Sequence, residues 1–130
     1  MKYEPMGKES PFDSLRPIFH EPHRLAIMSA LCAVGKGVAF SDLKRECGMT
    51  DGNLSRHLKA LEEARAVRIS KSFIASRPRT TLYATDEGRA AFLTYLQALE
   101  EVLHKAVEST QGCREGGMEP EVSILPVQGA

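Results

Sequence analysis

The sequence lacks most features that mark a secreted, membrane-embedded or cofactor-dependent protein. Its 130 residues include three cysteines, and Cys32, Cys47 and Cys113 are too far apart to form a zinc or redox pair. No apolar run approaches the length that a membrane span needs. The first residues lack the apolar core of a secretion signal. We therefore expect a cytoplasmic protein with no membrane partner and no cofactor, in which Cys32 is a buried thiol and a redox role is the alternative.

Sequence motifs of catalysis are also missing. We find no glycine-rich phosphate loop, no Cys/His ligand set and no nucleophile–base pair at a recognisable spacing. His20 and His23 lie three residues apart, but the sequence shows no third ligand or carboxylate cluster with them. Local capping by these histidines is therefore favoured over a metal site. The sequence predicts a protein that is not an enzyme and holds no metal.

Net charge is absent as well, since 17 Lys and Arg residues balance 17 Asp and Glu residues. A neutral chain argues weakly against nucleic-acid binding, but the average conceals a division. Residues 51–85 hold seven basic residues against three acids, whereas residues 86–130 hold three against eight. A basic segment followed by an acidic remainder is typical of a protein with one nucleic-acid-binding face.

The basic segment begins with a predicted helix over residues 50–63. Thr50 is a good N-cap, and Leu54, Leu58 and Leu61 fall on one helical face. The opposite face is short, polar and cationic, and it contains Gly52, Asn53, Ser55, Arg56 and Lys59. Such a face suits the DNA major groove, where Asn and Arg bind base edges and Lys binds phosphate. The alternative is a solvated amphipathic helix.

The residues before this helix favour the DNA-binding interpretation. Pro22 opens an apolar helix, and Ser41 is expected to cap a second, short helix over residues 42–47. Gly48 is expected to end the short helix in a left-handed conformation. A short helix, a tight turn and a second helix constitute a helix-turn-helix, with residues 50–63 as the recognition helix.

A β-hairpin is predicted after the recognition helix. Residues 67–73 alternate with period two, and residues 80–85 are rich in β-formers. The turn between them carries Arg77 and Arg79 on either side of Pro78. Two guanidinium groups on a projecting loop suit phosphate or minor-groove contact, and a solubilising loop is the alternative.

A long final helix is predicted over residues 86–108. Its apolar stripe is wider than one small domain needs to cover, so part of it is expected to form a dimer interface. The expected interface residues are Phe92, Tyr95, Leu96, Leu99 and Leu103. The alternative is that the N-terminal arm covers the stripe within one chain. Residues 1–13 are expected to form a flexible arm, and residues 109–130 a flexible tail.

In its order of elements and in several short segments the chain resembles the winged helix-turn-helix regulators, in particular the small MarR/ArsR-like group. The segments that carry the resemblance are 20–28, 54–62, 71–73, 77–80 and 85–89, and it extends over roughly residues 12–108. Two features depart from the pattern. Arg65 occupies a position where such proteins commonly have Gly, and the short helix has only Cys47 where metal-sensing members have a cysteine pair.

The resemblance implies a mainly α fold with a two-stranded β-wing and a long C-terminal dimerisation helix. Residues 14–85 are then the DNA-binding domain, with the wing at 74–80, and the protein is a homodimer that binds double-stranded DNA as a repressor. Regulators of this kind often bind a small-molecule effector, for which Phe19, Met28, Tyr95 and Leu99 are candidate pocket residues, and packing in the core is the alternative role of these four. The residues expected to contact DNA are Thr50, Asn53, Ser55, Arg56, Lys59, Arg77 and Arg79. The alternative function is a winged-helix protein–protein interaction module.

Overall fold

The computed structural model describes residues 15–116. It is mainly helical, and its elements are α1 (Pro22–Ala33), β1 (Val38–Ala39), α2 (Phe40–Cys47), α3 (Asp51–Glu63), β2 (Val67–Ile74), β3 (Arg77–Ala84) and α4 (Asp86–Gly116). The expected N-terminal arm and the chain beyond residue 116 lie outside the described residues. The predicted order of helices and hairpin is confirmed.

Helix α1 begins where the sequence predicted. Pro22 occupies the first turn, and the Glu21 side chain accepts a hydrogen bond from the Arg24 amide at 2.9 Å. Ile27 and Met28 are fully buried in the core. Near the other end of α1, the Arg89 guanidinium donates to the Cys32 carbonyl at 2.9 Å and so joins α1 to α4.

Helix α2 begins two residues earlier than the capping pattern suggested. Its N-cap is Ala39, without a side-chain hydrogen bond, so Ser41 lies within the helix and the predicted Ser41 cap is wrong. Val38–Ala39 pair with β3, and this pairing holds the chain extended up to Phe40. At the other end, Gly48 has φ 63° and its amide donates to the Arg45 carbonyl, as predicted for a left-handed C-cap.

The sheet is antiparallel with strand order β1-β3-β2, so the two-stranded wing gains a third strand from Val38–Ala39. The hairpin turns at Ala75 and Ser76, with φ of 53° and 65°, and pairing begins again at Ile74 and Arg77. The predicted turn at 74–79 is therefore too long, because a two-residue turn with both residues left-handed lets the strands pair up to the turn itself.

Pro78 does not interrupt this pairing. It lies opposite Phe73 in β2, while β1 reaches only Thr81 and Leu82 of β3. At Pro78 the strand therefore has a neighbour on one side only, and its missing amide costs no second ladder bond.

Helix α4 continues to Gly116, beyond the predicted end at residue 108. The part of the predicted tail (109–130) that is described, residues 109–116, is thus helical. Gly112 lies within this part, and glycine weakens a helix interior by about 1 kcal/mol relative to Ala without forcing it to end. Among residues 15–116, no helix is long and apolar enough to cross a lipid bilayer.

An aromatic cluster fixes α4 on the segment that precedes α1. The Phe19 ring packs edge-on against Phe92 at 5.3 Å between centroids, and its centroid lies 5.7 Å from that of Tyr95. All three rings are at most 2% exposed. Phe92 and Tyr95 therefore belong to the core of one chain, which corrects their assignment to the dimer interface. Leu96 and Leu103 remain exposed, and Leu99 is half-buried.

Candidate nucleic-acid interface

Helix α3 is fixed at its start by a cap and an ion pair. The Asn53 amide donates to the Thr50 hydroxyl oxygen at 3.2 Å, as the sequence predicted. Asp51 in the first turn forms an ion pair with Lys44 of α2 at 2.9 Å, and its negative charge lies at the positive end of the helix. The short helix, the Gly48 turn and α3 therefore form the predicted helix-turn-helix.

The inner face of α3 is apolar and completely covered. Leu54, Leu58 and Leu61 are at most 2% exposed, and they pack into one cluster with Leu43 of α2 and Leu82 of β3. Burying a leucine side chain stabilises a fold by roughly 1.5–3 kcal/mol. These three residues therefore determine which face of α3 points outward.

The outward face of α3 contains the polar and cationic side chains that the helical spacing of the sequence predicted there. Ser55, Arg56 and Lys59 are exposed, and Asn53 is half-buried. The Arg56 guanidinium donates to the Asn53 side-chain oxygen one turn earlier. This bond uses one of the five N–H groups of the guanidinium, and it places an amide and a guanidinium side by side. Together they present the donors that bind purine edges in the major groove.

A cleft of about 440 Å³ separates α3 from the hairpin. Its floor is apolar, with Leu58, Ile69 and Leu82, and the ammonium-bearing side chains of Lys59 and Lys71 line it. The carboxylate of Glu62 lines it too. Lys59 and Lys71 are therefore the groups of this cleft that can bind phosphate between the helix and the hairpin.

Lys71 was missing from the residues predicted to contact DNA. The alternation of β2 places it on the same face as Val67 and Ile69, opposite Thr80 of β3. Lys71 is exposed where this strand face passes beyond the core, and its place in the period-two alternation is the sequence signal that could have pointed to it.

Arg77 and Arg79 lie on the other face of the hairpin. They are paired with Ile74 and Ser72, on the face where the Arg68 guanidinium stacks over the Tyr83 ring at 4.1 Å. Both arginines are exposed and near the turn. The hairpin therefore has one cation, Lys71, on its inner face and three, Arg68, Arg77 and Arg79, on its outer face, and the structure does not bring Arg77 and Arg79 into the cleft.

The junction between α3 and the hairpin contains Arg65, one of the two features in which the sequence departs from the winged helix-turn-helix pattern. Arg65 has φ 65°, and its carbonyl accepts a hydrogen bond from the Thr85 hydroxyl at 2.7 Å. The same hydroxyl oxygen accepts from the Gly88 amide at 2.8 Å. Thr85 thereby caps α4 and fixes the junction, so the position of the hairpin relative to α3 depends on this threonine.

Behind the outward face, His57 is the only polar side chain that is fully buried among the residues whose burial is described. Its Nδ1 lies 3.2 Å from Nη1 of Arg24 and 3.9 Å from a Glu21 carboxylate oxygen. Burial lowers the pKa of His57, and the charge of Glu21 opposes this shift. His57 is therefore buried between α3 and the start of α1.

Comparison with known proteins agrees with this arrangement. The family model described as a winged helix DNA-binding domain matches residues 23–103. The uncharacterized protein MJ0432 of Methanocaldococcus jannaschii is 39% identical over 79 residues, which are 61% of this chain and 85% of that protein.

Two solved structures are similar in fold. A transcriptional regulator homologue protein from Pyrococcus horikoshii OT3 has a TM-score of 0.68 and 31% identity, over 76% of this chain and 98% of that chain. A putative transcriptional regulator of the MarR family from Porphyromonas gingivalis W83 has a TM-score of 0.56 and 20% identity, over 82% of this chain and 98% of that chain. The second likeness concerns the fold alone.

Proposed function

The chain belongs to the family of winged helix DNA-binding domains, and we propose that it is a sequence-specific transcriptional repressor that binds double-stranded DNA as a homodimer. One observation carries this proposal. The capped α3 presents Asn53 and Arg56 outward, and Lys59 on the same face borders a cleft whose far side carries Lys71. Base-reading and phosphate-binding groups thus lie on one continuous surface.

Within this surface, Asn53, Ser55 and Arg56 are assigned to base edges in the major groove. Thr50 is assigned to a phosphate, because its oxygen accepts the Asn53 amide while its hydroxyl proton remains able to donate. The helix N-terminus adds a partial positive charge at the same place. This end of α3 therefore fixes the register of the helix on the duplex.

The cleft is assigned to the sugar–phosphate backbone beside the groove. Lys59 and Lys71 approach it from α3 and from the hairpin respectively. Arg77 and Arg79, near the turn on the outer face of the hairpin, are assigned to the flanking backbone or the minor groove. Phosphate contacts of this kind position a protein and carry no sequence information.

The homodimer is proposed to form through α4. This helix has 31 residues, a length of about 46 Å at 1.5 Å per residue. Its exposed apolar side chains recur at helical spacing, and they are Leu93, Leu96, Leu103 and Val107. Residues 103–113 are exposed on every side of the helix within one chain. A second copy that packs along this stripe would cover it and place two α3 helices on one duplex.

Selection of bound duplexes from a random pool by the full chain tests the proposal. We expect an enriched inverted repeat whose half-sites are centred about 34–36 Å, one helical turn, or a multiple of that distance apart. Failure to enrich any sequence, with no binding to random duplex at low salt, would overturn the proposal and favour a protein–protein interaction module.

The cleft assignment is tested by the salt dependence of binding. Lys59→Ala and Lys71→Ala should each reduce the slope of log K against log salt by about 0.9, the value for one lost phosphate contact. Lys105→Ala is the matched control, because it removes an exposed cation from α4. Equal slopes in Lys71→Ala and the control would place the backbone outside the cleft.

A further inference from the structure

One carboxylate and two imidazoles meet where the start of α1 faces α3. They lie on the inner side of α3, away from the face that is proposed to contact DNA. Glu21, His23 and His57 each offer a ligand atom, and these atoms lie within 4.8 Å of one another. His23 Nδ1 is 2.9 Å from one Glu21 oxygen, and His57 Nδ1 is 3.9 Å from the other. The two imidazole rings are stacked with their centroids 5.2 Å apart.

The hydrogen bonds determine which nitrogen of His57 carries a lone pair. Arg24 Nη1 lies 3.2 Å from His57 Nδ1, and a guanidinium can only donate. Nδ1 is therefore the acceptor, and the proton resides on Nε2. A neutral imidazole whose Nδ1 carries the lone pair is the form in which histidine binds a metal, and here that lone pair accepts from Arg24.

We propose that Glu21, His23 and His57 form a binding site for one divalent metal ion of the zinc class. Two imidazoles and one carboxylate are a ligand set that zinc accepts, with a fourth position left for water. The ligands come from α1 and its cap on one side and from α3 on the other. A bound ion would therefore join the recognition helix directly to the start of α1.

Two side chains must adjust for the ion to bind. The His23 ring must turn out of the stacked arrangement and present Nδ1 without its proton, which its 47% side-chain exposure permits. Arg24 must withdraw Nη1 from His57, although its Nε still donates to the Ile18 carbonyl at 2.7 Å. Arg24 thus competes with the ion for the same lone pair, and its removal should strengthen metal binding.

Calorimetric titration of the chelator-treated full chain with zinc chloride tests the site. We expect one zinc ion per chain. His23→Ala should weaken binding by more than the roughly 100-fold that loss of an outer-shell partner causes, and it removes an exposed side chain that the core does not use. His104→Ala is the matched control, because His104 pairs with Glu108 at 3.2 Å on the exposed surface of α4.

Two further variants examine the buried side of the cluster. Arg24→Gln should bind zinc more tightly than the unaltered chain, whereas His57→Gln should lose zinc binding while circular dichroism reports whether it still folds. Absence of zinc binding in the unaltered chain, or binding that His23→Ala leaves unchanged, overturns the proposal. Loss of binding in His104→Ala alone would place the ion on α4 and overturn it equally.

Discussion

Arg56 has two neighbours that compete for its guanidinium, the Asn53 oxygen within the chain and a base edge in the proposed complex. A bidentate contact of Arg with guanine contributes roughly 1–3 kcal/mol of discrimination between base pairs. Arg56→Ala should therefore lower affinity for the selected site about 5- to 150-fold, while binding to random duplex falls much less. Gel-shift titrations with both duplexes measure the two effects.

The control for Arg56 is Arg68→Ala. Arg68 is exposed and stacks on Tyr83 near the start of β2, so its loss removes the same charge away from α3. Equal losses of specific affinity in the two variants would mean that Arg56 acts only through net charge.

The three cysteines should differ in reactivity. Burial raises the pKa of Cys32, against the nearby charge of Arg89, and burial and the Glu46 carboxylate raise the pKa of Cys47. A raised pKa leaves less thiolate at neutral pH, so these two thiols should be alkylated slowly, at rates that still rise above pH 9. Cys113 is exposed and should react first. Peptide mass spectrometry after timed iodoacetamide treatment distinguishes them, and early labelling of Cys32 would contradict this order.

Single residues show which features of the fold and of the candidate sites could be predicted from a sequence pattern and which could not. Thr50 and Gly48 were predictable because a cap and a left-handed stop depend on a few neighbouring residues. The cluster of Glu21 and His57 was not, because 36 positions separate them in the chain and only the packing of α1 on α3 brings them together. Lys71 was predictable in principle, since its place in the alternation was already visible.

At the scale of the element, Gly88 and Gly112 of α4 have opposite surroundings. A Cβ on Gly88 would lie 2.6 Å from the Ala66 Cα, whereas a Cβ on Gly112 would have nothing within 4 Å. Gly88→Ala should therefore lower the free energy of unfolding by about 1–3 kcal/mol, the range for overpacking. Gly112→Ala should raise it by up to about 1 kcal/mol, since alanine favours the helix.

Denaturant unfolding of both variants at one protein concentration measures these effects. The pair is matched, because each variant adds a single methyl group to the same helix. A Gly88→Ala variant as stable as the unaltered chain would show that the Ala66 backbone can move away from the added methyl group at little cost. Thr85 alone would then hold the hairpin against α4.

The hairpin turn and the end of α4 show why two element boundaries could not be predicted from the sequence. Ala75 and Ser76 adopt the left-handed conformations that Asn-Gly pairs usually take in a hairpin turn. Their residue types gave no such signal, so Arg77 and Arg79 were placed on a loop when they lie in β3. The end of α4 was also predicted wrongly, since the helix was expected to end at residue 108 and it continues through Gly112 to Gly116.

At the scale of the whole molecule, the exposed cations and the exposed apolar side chains belong to different parts of the sequence. The exposed cations of residues 51–85 lie on α3 and the hairpin, and the exposed apolar stripe lies on α4. A neutral chain can therefore have a basic DNA-binding surface, because the compensating acids follow residue 85. Association of two chains through α4 would bring two such surfaces together without burying either.

Leu103→Glu should convert the protein to a folded monomer. Leu103 is 55% exposed within one chain, so the substitution leaves the core intact, and in a two-fold interface it places two carboxylates in an apolar surface. Size-exclusion chromatography with light scattering measures the mass, and circular dichroism the fold. Ser109→Glu is the control, because at 100° per residue it adds the same charge about 120° around α4 from Leu103. If Leu103→Glu remains dimeric, or Ser109→Glu dissociates instead, the second copy must pack on a different face.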